Sequence, residues 1–193
     1  SICTAQDANQ RLTSKRMGTP ASLLSFLSSP TFIDLELYLC SLGRRMKYRI
    51  LGETGLKVSV IGFGAIKLPK VQLNDAVKII RRALDLGVNF IDTARNYKDS
   101  EFKVGRAIKG RRDECYIATK TASRDYKGAL KDIERSMKEL DVDYIDLIQL
   151  HSVSNRQLYE AVMRRGGALE ALKEAKRRGW VGHIGVSCHR DLN

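Results

Sequence analysis

Four residues carry the chemistry this sequence could perform: Asp92, Tyr97, Lys120 and His151. The stretch FIDTARNY supplies Asp92 and, five residues later, Tyr97; CYIATK ends in Lys120, and YIDLIQLH ends in His151. Taken singly, each has a plain explanation. A carboxylate at a strand end is ordinarily a turn or capping residue, and a lysine or histidine there is ordinarily a surface or rim group. Together they describe a device for delivering a proton. A phenol with a pKa near about 10 is a poor acid at neutral pH. An ammonium beside it favours the phenolate and brings that pKa down. The ammonium needs a carboxylate of its own, because an unpaired buried charge is costly, and Asp92 can be that partner. A histidine from the next strand can hydrogen-bond the oxygen that receives the proton. The group suits an oxygen that is gaining negative charge, such as a carbonyl under hydride attack. No side chain donates hydride, so the reading calls for a nicotinamide cofactor.

The elements that must position these residues follow from periodicity. Residues 1–45 are serine-rich and lack sustained periodicity, and their apolar patch is interrupted by Pro30, Asp34 and Glu36. That pattern is too broken for a membrane helix and predicts a leader that is disordered or foreign to the domain, with Met46 as a candidate start. From Met46 the pattern becomes regular. KYRIL-GETG-LKVSVIGFG reads as a hairpin running into a strand that ends at Gly64. LNDAVKIIRRALDLG places Ala76, Ile79, Ile80, Ala83 and Leu84 on one helical face, with Asn74 as cap and Gly87 as stop. Strands VNFID, CYIATK, YIDLIQLH and HIGVS then alternate with helices SEFKVGRAIKG, KGALKDIERSMKEL and GALEALKEAKRRG.

Alternation at a βαβ repeat of roughly 30 residues means a parallel sheet covered by helices. An open doubly wound sheet and a (β/α)8 barrel both satisfy it. The dinucleotide fingerprint of the first does not fit: Gly62 and Gly64 are present, but Lys67 stands where the third glycine belongs. The next helix also opens about ten residues after Gly64, too far on to hold a pyrophosphate. In a barrel, by contrast, Gly64, Asp92, Lys120, His151 and the Ser187-Cys188-His189 segment all fall at strand C-termini, the rim where such folds place their chemistry.

Composition bounds the rest. A chain of 193 residues with 43% hydrophobic and 29% charged residues is globular. Its four cysteines show neither CxxC nor metal-ligand spacing, which predicts no disulfide framework and no metal and suits a reducing cytoplasm. The net charge is +12, and its basic clusters lie near expected helix C-termini, where they offset helix dipoles. Aromatics are not interleaved with them as a nucleic-acid surface would want.

In these segments the sequence resembles the aldo-keto reductases, over residues 46–193. FIDTARNY is similar to the family's D-T-A-x-x-Y segment, IATK to its lysine strand, DLIQLH to its histidine strand and HIGVSCH to its G-V-S-N segment. The resemblance implies Asp92, Tyr97, Lys120 and His151 as the catalytic tetrad, with Tyr97 the proton donor. It also implies a cofactor site for NADP(H) that includes Gly64, Ala65, Asp92, Ser187 and Cys188, Cys188 standing where asparagine is usual. Some relatives with similar wording carry a ferredoxin-like iron–sulfur segment, which these 193 residues do not include.

The expectation is an α/β partial (β/α)8 barrel, about five of eight strands behind an N-terminal hairpin. Its function would be NADPH-dependent reduction of a small-molecule aldehyde or ketone in the cytoplasm, with no nucleic-acid or membrane partner. The fragment by itself is expected to be inactive. Two other readings stay open: a noncatalytic nicotinamide-binding regulatory subunit of the same fold, and a basic nucleic-acid-binding module.

Overall fold

The computed structural model describes Cys3–Thr4 and residues 46–189. The expected leader lies outside the described residues except for Cys3–Thr4 (β1), whose backbone pairs in parallel with Ile61 and Gly62. Residues after Met46 form the hairpin β2 (Tyr48–Ile50) and β3 (Lys57–Ser59), paired antiparallel. The chain continues through β4 (Ile61–Gly64), a 3-10 turn (Ala65–Lys70), α1 (Leu73–Asp85), β5 (Phe90–Asp92), α2 (Ser100–Ile108) and β6 (Tyr116–Thr121). It then runs through α3 (Tyr126–Leu140), β7 (Ile145–Leu150), α4 (Arg156–Met163), α5 (Ala168–Arg177) and β8 (Val181–Val186). Strands β4 to β8 lie in sequence order, each parallel to its neighbours. No strand crosses over another, so this sheet has no reversal point of the doubly wound kind.

Alternation along each strand sorts the side chains into two layers. Ile91, Ile117 and Ile148 join Ile80, Val104, Ile133, Leu140 and Leu172 in the core between sheet and helices. Burying one such side chain contributes about 1.5–3 kcal/mol. Phe90, Ala118 and Leu147 point to the other face, where Val58 of the hairpin covers them. The hairpin is latched there by Asn89, which receives the Ser59 N–H at 2.6 Å and donates to the Lys57 carbonyl at 2.9 Å. Asp92, Lys120 and His151 fall two, two and four residues beyond Phe90, Ala118 and Leu147, so they inherit the inner face.

Two local expectations are corrected. Asn74 does not cap α1: the cap lies two residues earlier, at Gln72, with no side-chain cap bond, and Asn74 is inside the helix. Helix α4 was not expected, and it is started by Asn155, whose side chain accepts the Leu158 N–H at 2.8 Å. Gly87 does end α1, at φ 87, and a Cβ there would stand 2.9 Å from the Tyr48 hydroxyl.

Candidate active site

The four residues expected to act together meet at the C-terminal end of the sheet. Lys120 Nζ donates to Asp92 Oδ2 at 2.7 Å and to the Thr93 carbonyl at 2.7 Å. It also stands over the Tyr97 ring, 5.4 Å from the centroid. His151 approaches the same ring edge-on, with centroids 5.7 Å apart and planes at 80°. Lys120 and His151 are buried, at 5% and 6% exposure, whereas Tyr97 and Asp92 are half-buried. The corner is therefore dry below and open above.

Burial raises the Asp92 carboxyl above its ordinary value, and Lys120 pulls it back. The Tyr97 phenol is also raised, by burial first and by the Asp92 charge second. This corrects the sequence argument, which expected the ammonium to lower it. Asp92 neutralises much of Lys120's field, and the ammonium stands over the ring. His151 is lowered from 6.5 to about 4 by burial, with Lys120, His189 and Arg124 adding to the effect. Its imidazole is neutral at neutral pH, so it can hydrogen-bond an oxygen without competing to protonate it.

The loop that carries Tyr97 is braced on both sides. Thr93 N–H donates to the Ala118 carbonyl at 2.8 Å and Arg95 N–H to the Lys120 carbonyl at 2.9 Å, prolonging the β5–β6 pairing into the loop. Behind it Arg95 is ion-paired with Glu101, which has no exposed surface and also accepts the Thr119 hydroxyl at 2.6 Å. The Ser100 hydroxyl lies 2.9 Å from that of Thr93 and donates to the Ala65 carbonyl at 3.0 Å. Lys98 and Ser152, the residues after Tyr97 and His151, adopt positive φ of 49 and 54. Left-handed backbone at non-glycine residues beside both side chains shows that the surroundings hold these turns firmly.

The residues expected around a cofactor are distributed along the same end. Gly64 pairs with Asp92, is exposed, and has nothing within 4 Å of the place a Cβ would occupy. Ala65 turns its side chain into the core between sheet and helices, and its carbonyl accepts the buried Ser100 hydroxyl, so this position is closed from outside. The Ser187 hydroxyl accepts the Ser152 N–H at 2.9 Å, which leaves its own proton to donate. Cys188 Sγ lies 3.8 Å from the Ser154 hydroxyl. An open glycine beside Asp92 and a hydroxyl with a free proton fit the flat ring and carboxamide of a nicotinamide. His183 is inner-facing opposite Leu147, below the rim, and Trp180 packs on the core with Arg178 4.8 Å over its ring. Cys115 is buried in the core between sheet and helices, and its thiol is pushed up to about 11. Among the described residues no cluster of His, Cys, Asp or Glu could hold a metal ion, and no helix is long and apolar enough to cross a membrane.

Sequence reasoning missed Arg124, Gln149 and the Arg95–Glu101 pair. Arg124 lies in the loop after β6 and donates from Nη2 to the His151 carbonyl at 2.6 Å. Reading a few residues past the end of each strand, beyond Lys120, would have brought it into view. A hollow of about 440 Å³ lined by Tyr48, Leu84, Asn89 and Tyr116 lies at the opposite end of the sheet, away from this chemistry.

A parallel α/β sheet in sequential order brings Asp92, Tyr97, Lys120 and His151 together from successive units at one end. Residues 60–190 match the aldo/keto reductase family, and the chain belongs to it. It is 33% identical over 159 residues to L-galactose dehydrogenase of Arabidopsis thaliana, covering 74% of this chain and 49% of that protein. A probable voltage-gated potassium channel subunit beta from the same plant is 31% identical, over 74% of this chain and 46% of its own length. Among solved structures, the holo form of an aldo-keto reductase from Bacillus halodurans superposes with a TM-score of 0.63 at 32% identity, over 74% of this chain and 50% of that one. The chain spans about half the length of the curated relatives it matches.

Proposed function

We propose that this chain carries the proton-delivering part of an NADPH-dependent reductase of small aldehydes or ketones, working in a reducing cytoplasm. The observation that carries the reading is the convergence of Tyr97, His151 and the Lys120–Asp92 pair at one end of the sheet. Gly64, Asp92 and Ser187 would hold the nicotinamide end of the cofactor, which supplies the hydride when bound. The choice of NADP(H) over NAD(H) rests on the family. Tyr97 gives its hydroxyl proton to the substrate oxygen. A phenol held above its ordinary pKa still donates readily to an oxygen becoming an alkoxide, a far stronger base than phenolate. Lys120 supports the phenolate left behind, Asp92 keeps Lys120 in place, and neutral His151 orients the oxygen by a hydrogen bond.

Tyr97→Phe tests this in the longest polypeptide the coding region specifies. It should lower aldehyde reduction by about a hundredfold or more while NADPH binding, followed by fluorescence, stays intact. Reduction at the parental rate would show that Tyr97 is not the donor. The relative described as a potassium channel subunit beta favours one second reading, a regulatory subunit that binds the same cofactor. That reading expects NADPH binding with no turnover in the parent protein.

A further inference from the structure

Arg124 is more than the rim's fold requires. Its loop is braced by Asp132 on α3, which accepts the Thr121 hydroxyl at 2.6 Å and the Ser123 hydroxyl at 2.8 Å. On the far side the Arg124 carbonyl receives the Ala168 N–H at 2.9 Å, and Tyr126 N–H reaches the Gly166 carbonyl at 2.8 Å. This fixed backbone projects a half-buried guanidinium onto the end of β7. Nη2 caps the His151 carbonyl, and among the described residues no carboxylate pairs with the charge. Nη1 is buried with no protein partner, and Gln149 Oε1 and His151 Nδ1 share that condition. Gln149 lies across the β6–β7 ladder from Lys120, and His151 follows the end of the same strand two residues on, where the Arg124 head reaches its carbonyl. A half-buried guanidinium with one buried donor unspent gains from an anion, which satisfies the donor and the charge together. Capping one carbonyl needs no charge.

We propose that Arg124 receives a carboxylate of the substrate, so that the carbonyl compound handled at this corner is an oxo acid. A planar guanidinium presents parallel N–H groups that match a carboxylate. Lys120 does not compete for this role, because Asp92 already holds it. The Arg124 charge lies near enough to His151 to help keep that imidazole neutral. The carboxylate therefore docks beside the group that orients the carbonyl oxygen. The proposal rests on the reductase reading above and deepens it.

The test uses the longest polypeptide the coding region specifies, with Arg124→Gln and Arg124→Lys beside the parent. Aliphatic oxo acids of increasing chain length are compared with their methyl esters. The parent should favour one acid over its ester in kcat/KM by about tenfold or more, through KM. In Arg124→Gln that ratio should collapse towards one, and Arg124→Lys should restore part of it. A parent indifferent to the acid, or a Gln variant that loses acid and ester alike with the ratio kept, would overturn the proposal. Malonate and malonamide, which carry no reducible carbonyl, provide a second readout by thermal shift. Malonate alone should raise the parental midpoint, and Arg124→Gln should abolish the rise; an equal rise in both proteins also overturns it. If neither acid nor ester is reduced but malonate behaves as expected, the reductase reading fails and the carboxylate site stands.

Discussion

At His151 a single imidazole links the site to stability. In the unfolded chain it titrates near 6.5, and in place it titrates at about 4, so between those values the unfolded chain binds the extra proton. The stability that the neutral ring contributes is fully present above pH 6.5 and drains away as pH falls towards 4. Asp92 and Glu101 act in the opposite sense, because burial raises them and acid relieves the cost of their charge. Comparing the parent with His151→Gln therefore isolates the ring. The parent's urea midpoint should fall more steeply than the variant's between pH 6.5 and about 4, and equal slopes would refute the account. At this scale Asp92, Lys120 and His151 were legible because each stands at or just after the end of an expected strand, with Tyr97 in the loop beyond the first. Once Phe90, Ala118 and Leu147 face inward, the faces of Asp92, Lys120 and His151 follow. The raised phenol was not legible, since it depends on where Lys120 stands relative to ring and carboxylate. Arg124 was not legible because a loop has no period from which to infer where its side chain lands.

Helix α2 sets the back wall of the Tyr97 loop through Ser100 and Glu101, and its position depends on Gly105. A Cβ at Gly105 would lie 2.5 Å from the Leu140 carbonyl oxygen and 2.8 Å from that of Glu139, both backbone atoms at the end of α3. Neither can swing aside as a side chain would. Gly105→Ala should therefore destabilise by about 1–3 kcal/mol, despite alanine's better helix propensity. Urea unfolding of the variant checks it, and a neutral or stabilising result would mean that the two helices are not in such close contact. The sequence reading gives strands and long helices at this scale because Ile79, Ile80, Ala83 and Leu84, or Ile133, Met137 and Leu140, repeat at helical spacing. Helix α4 escapes it because the helix is short and buries only Val162, so its apolar stripe is too thin to register. The true start of α1 escapes because Gln72 leaves no side-chain cap bond, and Asn74 imitates one.

Across the whole molecule, the same sequential sheet that places the site also limits what the 193 residues do by themselves. A closed barrel of this kind takes eight strands. Here β8 pairs on one side only among the described residues, and the far edge of β4 meets two residues of β1. A rim with fewer strands beside it is less restrained than a closed one, and a displacement of about one ångström can cost roughly a hundredfold in rate. Purified 1–193 should therefore bind NADPH weakly and reduce no aldehyde at a measurable rate; tight binding with steady turnover from a monomer would contradict this. Deleting 1–45 should change the thermal midpoint by no more than about 2 °C, because this stretch lacks sustained periodicity, and a loss of several degrees would mean that it packs. The strand order has a further consequence, during synthesis. Each strand docks on the one translated just before it, so the sheet can grow at its leading edge as the ribosome releases it. By the time His151 emerges, Asp92, Tyr97 and Lys120 have all been made, whereas Ser187 is still to come. The residues of the proton-handling corner are therefore all synthesised before the hydroxyl proposed for the nicotinamide, and the leading strand edge they sit beside is the one that receives it.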